Sequence, residues 1–475
     1  MTASHTMVRR LRRSLRALAA AVAAAAAAGC NDPAITDYNN PVVGLGFTDI
    51  SQVQAQALGL LAGDRDQHAF EILVLETMGR DAYRIDVADP RYLLQPLGQF
   101  SPGAFLADFT YNIHYRTIRG AQLLVRDAEA SSLLDAAGKA GVRGWARTWQ
   151  ANQYVRLIET RDTIGVPIVS ISDAVEPVRC KPAVLATITA LLDTATRDLA
   201  QGGAAFAFPV ASGLRANGAF DTPAAFARFA RALQAKAYVY RGFRDYARSG
   251  AVDAVALDSA LRALDLSFYA PAGDLRAGVY HVYGLGSGDQ TNANYDLSVY
   301  RANPKVVAEA EPGDARLAKV AEDPARRLVV SGITSDLLFT NLTGPTSPLP
   351  VITNEELILV RAEALWGLGR DAEALALVNV IRQRAGQLAP RASTDFPTRE
   401  ALLREILKQK RYSLLFESGA RLVDTRMFGL FNELGPELPA PAAGQPQPLG
   451  PKVIPLPQAE LDARNVAVDA VSCTA

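Results

Sequence analysis

The chain is poor in the residues that build reactive centres. It has three cysteines and four histidines in 475 positions. His5, His68, His114 and His281 never fall at a spacing that puts two imidazoles on one metal, and neither H-E-x-x-H nor C-x-x-C occurs. A zinc site is therefore not expected. G-x-S-x-G and the Walker A pattern are also missing. Gly284-Leu285-Gly286 begins a G-x-G, but Asp289 stands where the third glycine of a dinucleotide loop would be. A pair of carboxylates for glycoside hydrolysis leaves no sequence signature of its own. No cofactor is expected. Beyond residue 29 no stretch of 18 apolar residues occurs, so no membrane-spanning helix is expected there. The chain also lacks an excess of one charge, with 49 basic and 49 acidic residues. Such a balanced, mixed chain does not suit nucleic acid, which calls for a basic face.

What is present begins at the N-terminus. Arg9, Arg10, Arg12, Arg13 and Arg16 form a basic region and Leu15 to Ala28 is almost wholly apolar; Gly29 and Cys30 follow. Charge, a short apolar core and a small residue are the order of a secretory signal peptide, here 1–29. A cysteine just after the cut resembles a lipobox, although Ala27 stands where that pattern usually has Leu. Cys30 is then the expected lipidation site, with acyl chains such as palmitate. Residues 30–45, polar and bracketed by prolines, read as a flexible tether to a body spanning 46–475. Cys180 and Cys473 are the two remaining cysteines, a candidate disulfide in an oxidising compartment.

The body reads as all-α, because apolar residues recur at helical spacing and strand-like alternation is scarce. Helices are expected at Ile50–Leu61, Gln67–Met78, Gly103–Ala130, Leu133–Arg161, Pro182–Ala200, Pro223–Ser249, Asp253–Leu264, Asn354–Leu368, Asp371–Ala385 and Arg399–Ser418. Glu355–Arg384 reads as two apolar stripes about a Gly369-Arg370-Asp371 turn, with Asp371 as N-cap and Gly386 closing the pair. It resembles a tetratricopeptide-type helix pair. Arg228–Ala263 looks like a second pair, and Trp145–Ile158 could start another. The expected architecture is one large helical domain of such pairs with irregular ligand-binding loops.

The C-terminal third carries an ordered set of motifs. Arg382, Arg384, Ala385 and Gly386 are followed by Arg411, Leu414, Phe416, Glu417, Arg421, Asp424 and Arg426, then by Pro455, Pro457, Glu460 and Asn465. Ser413 replaces an acidic residue, and one residue is inserted between Glu417 and Arg421. Residues 146–169 (ARTWQANQYVRLIETRDTIGVPIV) add an early helix running into an extended segment. In this order the motifs resemble the SusD/RagB family of outer-membrane nutrient-binding lipoproteins. The resemblance implies a lipid-anchored protein of the outer membrane, exposed at the cell surface. It would bind oligosaccharide or peptide and deliver it to a TonB-dependent outer-membrane transporter. It implies binding of carbohydrate for nutrient uptake, not catalysis. Two other readings remain open, a helical-repeat scaffold with protein partners only and a secreted glycan hydrolase.

Two segments supply candidate ligand contacts. Sugars present apolar C–H faces ringed by hydroxyls, so their sites combine aromatic walls with amide or charged groups. Tyr280, Tyr283, Asn292, Asn294, Tyr295 and Tyr300 lie in the irregular stretch 271–306, and Asp81, Tyr83 and Arg84 in an early loop, 78–92 (MGRDAYRIDVADPRY). The loop Thr334–Pro350 is the alternative. Glu417, Arg421, Asp424 and Arg426 are expected to form a structural arginine–carboxylate network rather than ligand contacts.

Overall fold

A computed structural model of the chain describes residues 47–98, 100–172, 174–215, 219–287, 289–440, 445–467 and 473. Cys30 and the expected tether lie outside the described residues. The described chain is mostly helical, and its strands form only two-stranded antiparallel pairs. No described helix is long and apolar enough to cross a membrane.

The first helix, α1, runs unbroken over Ile50–Met78. Asp49 caps it, accepting from the Ser51 amide at 2.6 Å, while Gln52 reaches back to the cap. The expected break between Leu61 and Gln67 is absent. Gly63 sits at a close crossing, where a Cβ would lie 2.4 Å from Thr117 Oγ1. Tertiary packing here overrides the low helix propensity of the Gly-Asp-Arg-Asp stretch. A turn leads to β1 (Ala82–Arg84), then α2 (Arg91–Leu97) and α3 (Phe105–Ala130).

The central helix is α4 (Ala136–Arg161), buried on nearly every side from Ala140 onward. It pairs with α5 (Lys181–Ala200). The next pair is α6 (Pro223–Gly242) with α7 (Ala254–Asp265). The expected helix Pro223–Ser249 is thus two pieces, the second a short turn at Tyr246–Ser249. Where α6 meets α7, a Cβ on Gly242 would lie 2.2 Å from Leu257 Cδ2, so only glycine permits this approach.

The middle of the chain holds β2 (Gly278–His281), β3 (Tyr300–Ala302) and α8 (Pro304–Ala308). β3 pairs with β1 in the register Tyr83↔Arg301, and β4 (Leu349–Thr353) pairs with β2. From β4 the chain enters α9 (Asn354–Gly367), which pairs with α10 (Asp371–Arg384). Asp371 is not the cap of α10. Arg370 holds that position, and the Asp371 carboxylate pairs with Arg399 at 2.8 Å. Nor is Gly386 the left-handed residue after the pair; Gln387 takes that conformation with φ +52°. The last helices are α11 (Arg399–Ser413) and α12 (Ala420–Met427). α11 stops five residues before the expected Ser418, and Phe416 turns to φ +58°.

Candidate binding faces

The structure redistributes the nine candidate ligand residues. Tyr300 is buried in the β1–β3 pair, and Tyr83, paired across from Arg301, gives its hydroxyl proton to Glu437 at 2.6 Å. Asp81 is buried and accepts from Arg411 at 2.7 Å and Arg421 at 2.6 Å. Asn292 donates to the Ser347 carbonyl and accepts from the Asn294 amide; Asn294 donates to the Ala69 carbonyl at 2.6 Å. Tyr280 is buried with its hydroxyl on the Arg276 carbonyl, and Tyr283 is buried beneath Arg65. These seven are therefore corrected from ligand contacts to packing residues. A loop rich in amides must satisfy its buried backbone, and its asparagines do so here. Asn292 also ties the 271–306 stretch to the second candidate loop. Tyr295 is 37% exposed and Arg84 half-buried, so these two remain open to a ligand.

Arg84 marks a surface that the sequence reading missed. Its guanidinium lies 3.5 Å from the centre of the Tyr92 ring, with Tyr300 on another side at 6.0 Å. Tyr92 belongs to a closed ring of four aromatics. Phe70 meets Tyr92 at 5.8 Å and Phe109 at 5.7 Å, while Phe105 meets Tyr92 at 5.0 Å and Phe109 at 5.7 Å. All four contacts are edge-to-face, the geometry that aligns ring edges with ring faces. Phe70 comes from α1, Tyr92 from α2, and Phe105 and Phe109 from the first turn of α3, four residues apart on one side of the helix. Phe109 is 46% exposed and the other three are half-buried. Arg91 covers Phe105 at 4.7 Å. Two carboxylates stand at the rim: Asp86 holds Arg84 at 2.9 Å, and Asp89 holds Arg91 through two bonds. The Asn294–Ala69 bond brings Tyr295 beside this part of α1. The face thus combines flat apolar surface with donors and acceptors for hydroxyls.

The four motif residues tie distant segments together. Glu417 is bonded by Arg276 at 2.9 Å and Lys319 at 3.1 Å. Arg421 reaches Asp81; Asp424 holds Lys410 at 2.8 Å; Arg426 donates to the carbonyls of Lys452 and Glu159. They do not pair with one another. They join a buried polar layer that includes Lys236, bridged to Glu159 at 2.8 Å and Glu356 at 3.0 Å. In the same layer His281 meets Asp64 at 2.6 Å, and His114 meets Glu71. Burial alone would raise the Asp64 carboxyl, but the bond and charge of His281, with Arg156, hold it down to about 2. Burial raises Glu363 to about 7 despite the Lys410 ammonium 2.7 Å away, and the nearby Asp424 charge adds to the rise. Among the described residues no cluster suited to a metal ion occurs.

Cys180 and Cys473 are joined by a disulfide, with Cα atoms 5.5 Å apart. The Cys473 amide also donates to the Thr163 carbonyl at 3.0 Å. The bridge fixes the end of the chain to the segment entering α5.

Comparison with known proteins gives the fold a family context. Residues 335–429 match the SusD family. Among solved structures, a SusD superfamily protein from Bacteroides vulgatus superposes with TM-score 0.63 at 16% identity, covering 89% of this chain and 98% of that one. A laminarin-binding SusD-like protein gives 0.60 at 16%, covering 89% and 99%. NanU of B. fragilis gives 0.61 at 15%, covering 92% and 98%. No curated protein matches the sequence.

Proposed function

We propose that this chain, which carries the SusD family segment at 335–429 and the SusD superfamily fold around it, is a surface lipoprotein that captures nutrient oligosaccharides. Residues 1–29 are then a signal peptide, Cys30 carries the lipid anchor and 30–45 tether the helical domain to the outer membrane. The captured glycan passes to a TonB-dependent transporter. The protein binds and does not hydrolyse. The observation that carries the reading is the aromatic ring of Phe70, Tyr92, Phe105 and Phe109 under Arg84 and Arg91. Sugar C–H faces stack on such rings while Asp86, Asp89 and the guanidinium groups meet the hydroxyls. The likeness to a laminarin-binding protein favours glycan over peptide.

A glycan and peptide array that includes laminarin, followed by calorimetry on the full chain, tests this. Phe109→Ala with Arg91→Ala removes the two most exposed groups and weakens the best ligand at least tenfold, or about 1.4 kcal/mol. Melting temperature barely moves, because neither side chain is buried. Unaltered affinity in the folded double variant removes the face from consideration. The anchor has its own test: Cys30→Ser shifts the protein from membrane to soluble fraction, and retention on membranes after a high-salt wash rejects the lipid.

A further inference from the structure

A cavity lies between α11 and α12, formed by other segments than the aromatic face. It encloses about 320 Å³. Arg404, Leu407, Lys408 and Arg411 recur along one side of α11 and face Arg421 and Asp424 of α12. Leu430 and Leu434, just after α12, supply an apolar wall, and Glu309 stands at the end of α8.

Most charges of this cavity are matched; Lys408 and one nitrogen of Arg411 are the exceptions. Glu433 is held by Arg404 through two bonds of 2.6 and 2.8 Å, and Asp424 is held by the buried Lys410 at 2.8 Å. Glu309 faces Arg411 at 2.5 Å and Arg421 at 3.5 Å, and Asp81, outside the lining, holds the same two guanidiniums at 2.7 and 2.6 Å. Lys408 makes no hydrogen bond or ion pair among the described residues. Arg411 is 91% buried, since 9% of it is exposed, yet its Nη2 has no acceptor. Its other two nitrogens are fixed by Asp81 and Glu309. A buried guanidinium N–H without an acceptor is a costly vacancy for an anion to fill. The Glu309 side chain is 47% exposed, and burial opposes its charge while Arg411 and Arg421 hold its carboxyl below the usual range. Its carboxylate occupies the place that an external one would take.

We infer that the cavity between α11 and α12 binds a small carboxylate-bearing solute, with Arg411 Nη2 and Lys408 gripping the carboxylate and Leu430 and Leu434 lying against its carbon skeleton. The volume, near the lower end for small-molecule sites, admits one or two sugar rings or a dipeptide. The shared chemistry is the carboxylate, supplied by a uronate or by a peptide C-terminus. The site does not depend on the aromatic face.

Calorimetry at low salt on the full chain uses three probes: digalacturonate, N-acetyl-dialanine, and the methyl ester of digalacturonate. At least one acid binds, and the neutral ester binds at least tenfold more weakly than its acid. Binding of digalacturonate alone makes the ligand a uronate, and binding of the peptide alone makes it a C-terminus. Lys408→Met, at a half-buried side chain that makes no hydrogen bond or close ion pair and acts on Glu311 only through space, weakens the acid tenfold or more. Glu309→Gln removes the internal competitor and tightens the acid severalfold. Phe109→Ala leaves this binding unchanged, so the two sites fail or succeed separately. Absence of heat from both acids, equal binding of acid and ester, or full affinity in the Lys408→Met protein overturns the inference.

Discussion

From Ala140 onward α4 is buried first by apolar and then by polar partners. Its first half presents Trp145 and Trp149 to Phe206, Phe208, Phe226 and Phe229, with rings packed at 4.7–6.3 Å. Its second half presents Asn152, Gln153, Arg156 and Glu159, buried against Asp64, Glu71, His68 and Lys236. The first half needs only apolar volume of the right shape, and several sequences would serve. The second needs each partner in place, because a lone charge in that layer has no water to turn to. A helix can therefore carry a forgiving core and an exacting one along a single axis.

Removing one charge tests the exacting half most severely. Lys236→Met strands Glu159 and Glu356 together, and a loss of about 3–5 kcal/mol is expected in urea unfolding. A cost under 1 kcal/mol would mean that water reaches this layer.

The next effect separates the halves by pH. Burial, and after it the Asp81 charge, raise the Glu76 carboxyl to about 8. The folded chain then keeps a proton that the unfolded chain releases near 4.5. Its stabilising contribution is whole below pH 4.5 and lost as pH rises through 8, by up to about 1.4 kcal/mol per unit. Glu363, raised to about 7, acts in the same direction. Asp64, held at about 2, acts oppositely, but only below its unfolded value of 3.8. Melting temperature accordingly falls between pH 5 and 8, and Glu76→Gln flattens that fall. Its amide oxygen still accepts from the Phe416 and Gly419 amides, as Oε1 of the carboxyl does now. A Gln variant with an unchanged slope would reject the assignment.

The smallest effect sharpens the comparison inside the apolar half. Trp145 donates to the Ala57 carbonyl at 3.1 Å, whereas the buried Trp149 Nε1 has no acceptor. Trp145→Phe loses a bond; Trp149→Phe removes an unsatisfied donor. The first variant is expected to melt lower, with a difference of about 1 kcal/mol. Equal losses would show that ring volume alone decides.

This contrast also explains what was legible beforehand. The pairs α6–α7 and α9–α10 could be read from stripes at helical spacing, because each helix declares its own apolar face. The continuity of α1 could not, since Thr117, far along the chain, decides whether Gly63 fits. The polar layer was hidden for the same reason: Asp81 is bound by Arg411 and Arg421, and Glu417 by Arg276. The aromatic face draws on three helices, and only Tyr92 lay within a segment already singled out. The tyrosines and asparagines of 271–306 looked accessible because the stretch is irregular, yet Asn292 and Asn294 bond backbone carbonyls of other segments and Tyr280, Tyr283 and Tyr300 are buried.

The Cys180–Cys473 bond closes a covalent ring around a sequence separation of 293 residues. Traction through the N-terminal segment meets that ring as a stop. Chain can be drawn out of the fold from residue 47 up to residue 180, at roughly 3.3–3.6 Å of length per residue, and no farther while the sulfurs stay joined. The candidate cavity between α11 and α12 lies within the ring, as do α6–α7 and α9–α10. The aromatic face lies before it, on the stretch that a pull would peel first. A load applied at the N-terminal end would thus take the aromatic face apart and pull Asp81 from Arg411 and Arg421, while the segments that form the cavity stay inside the ring.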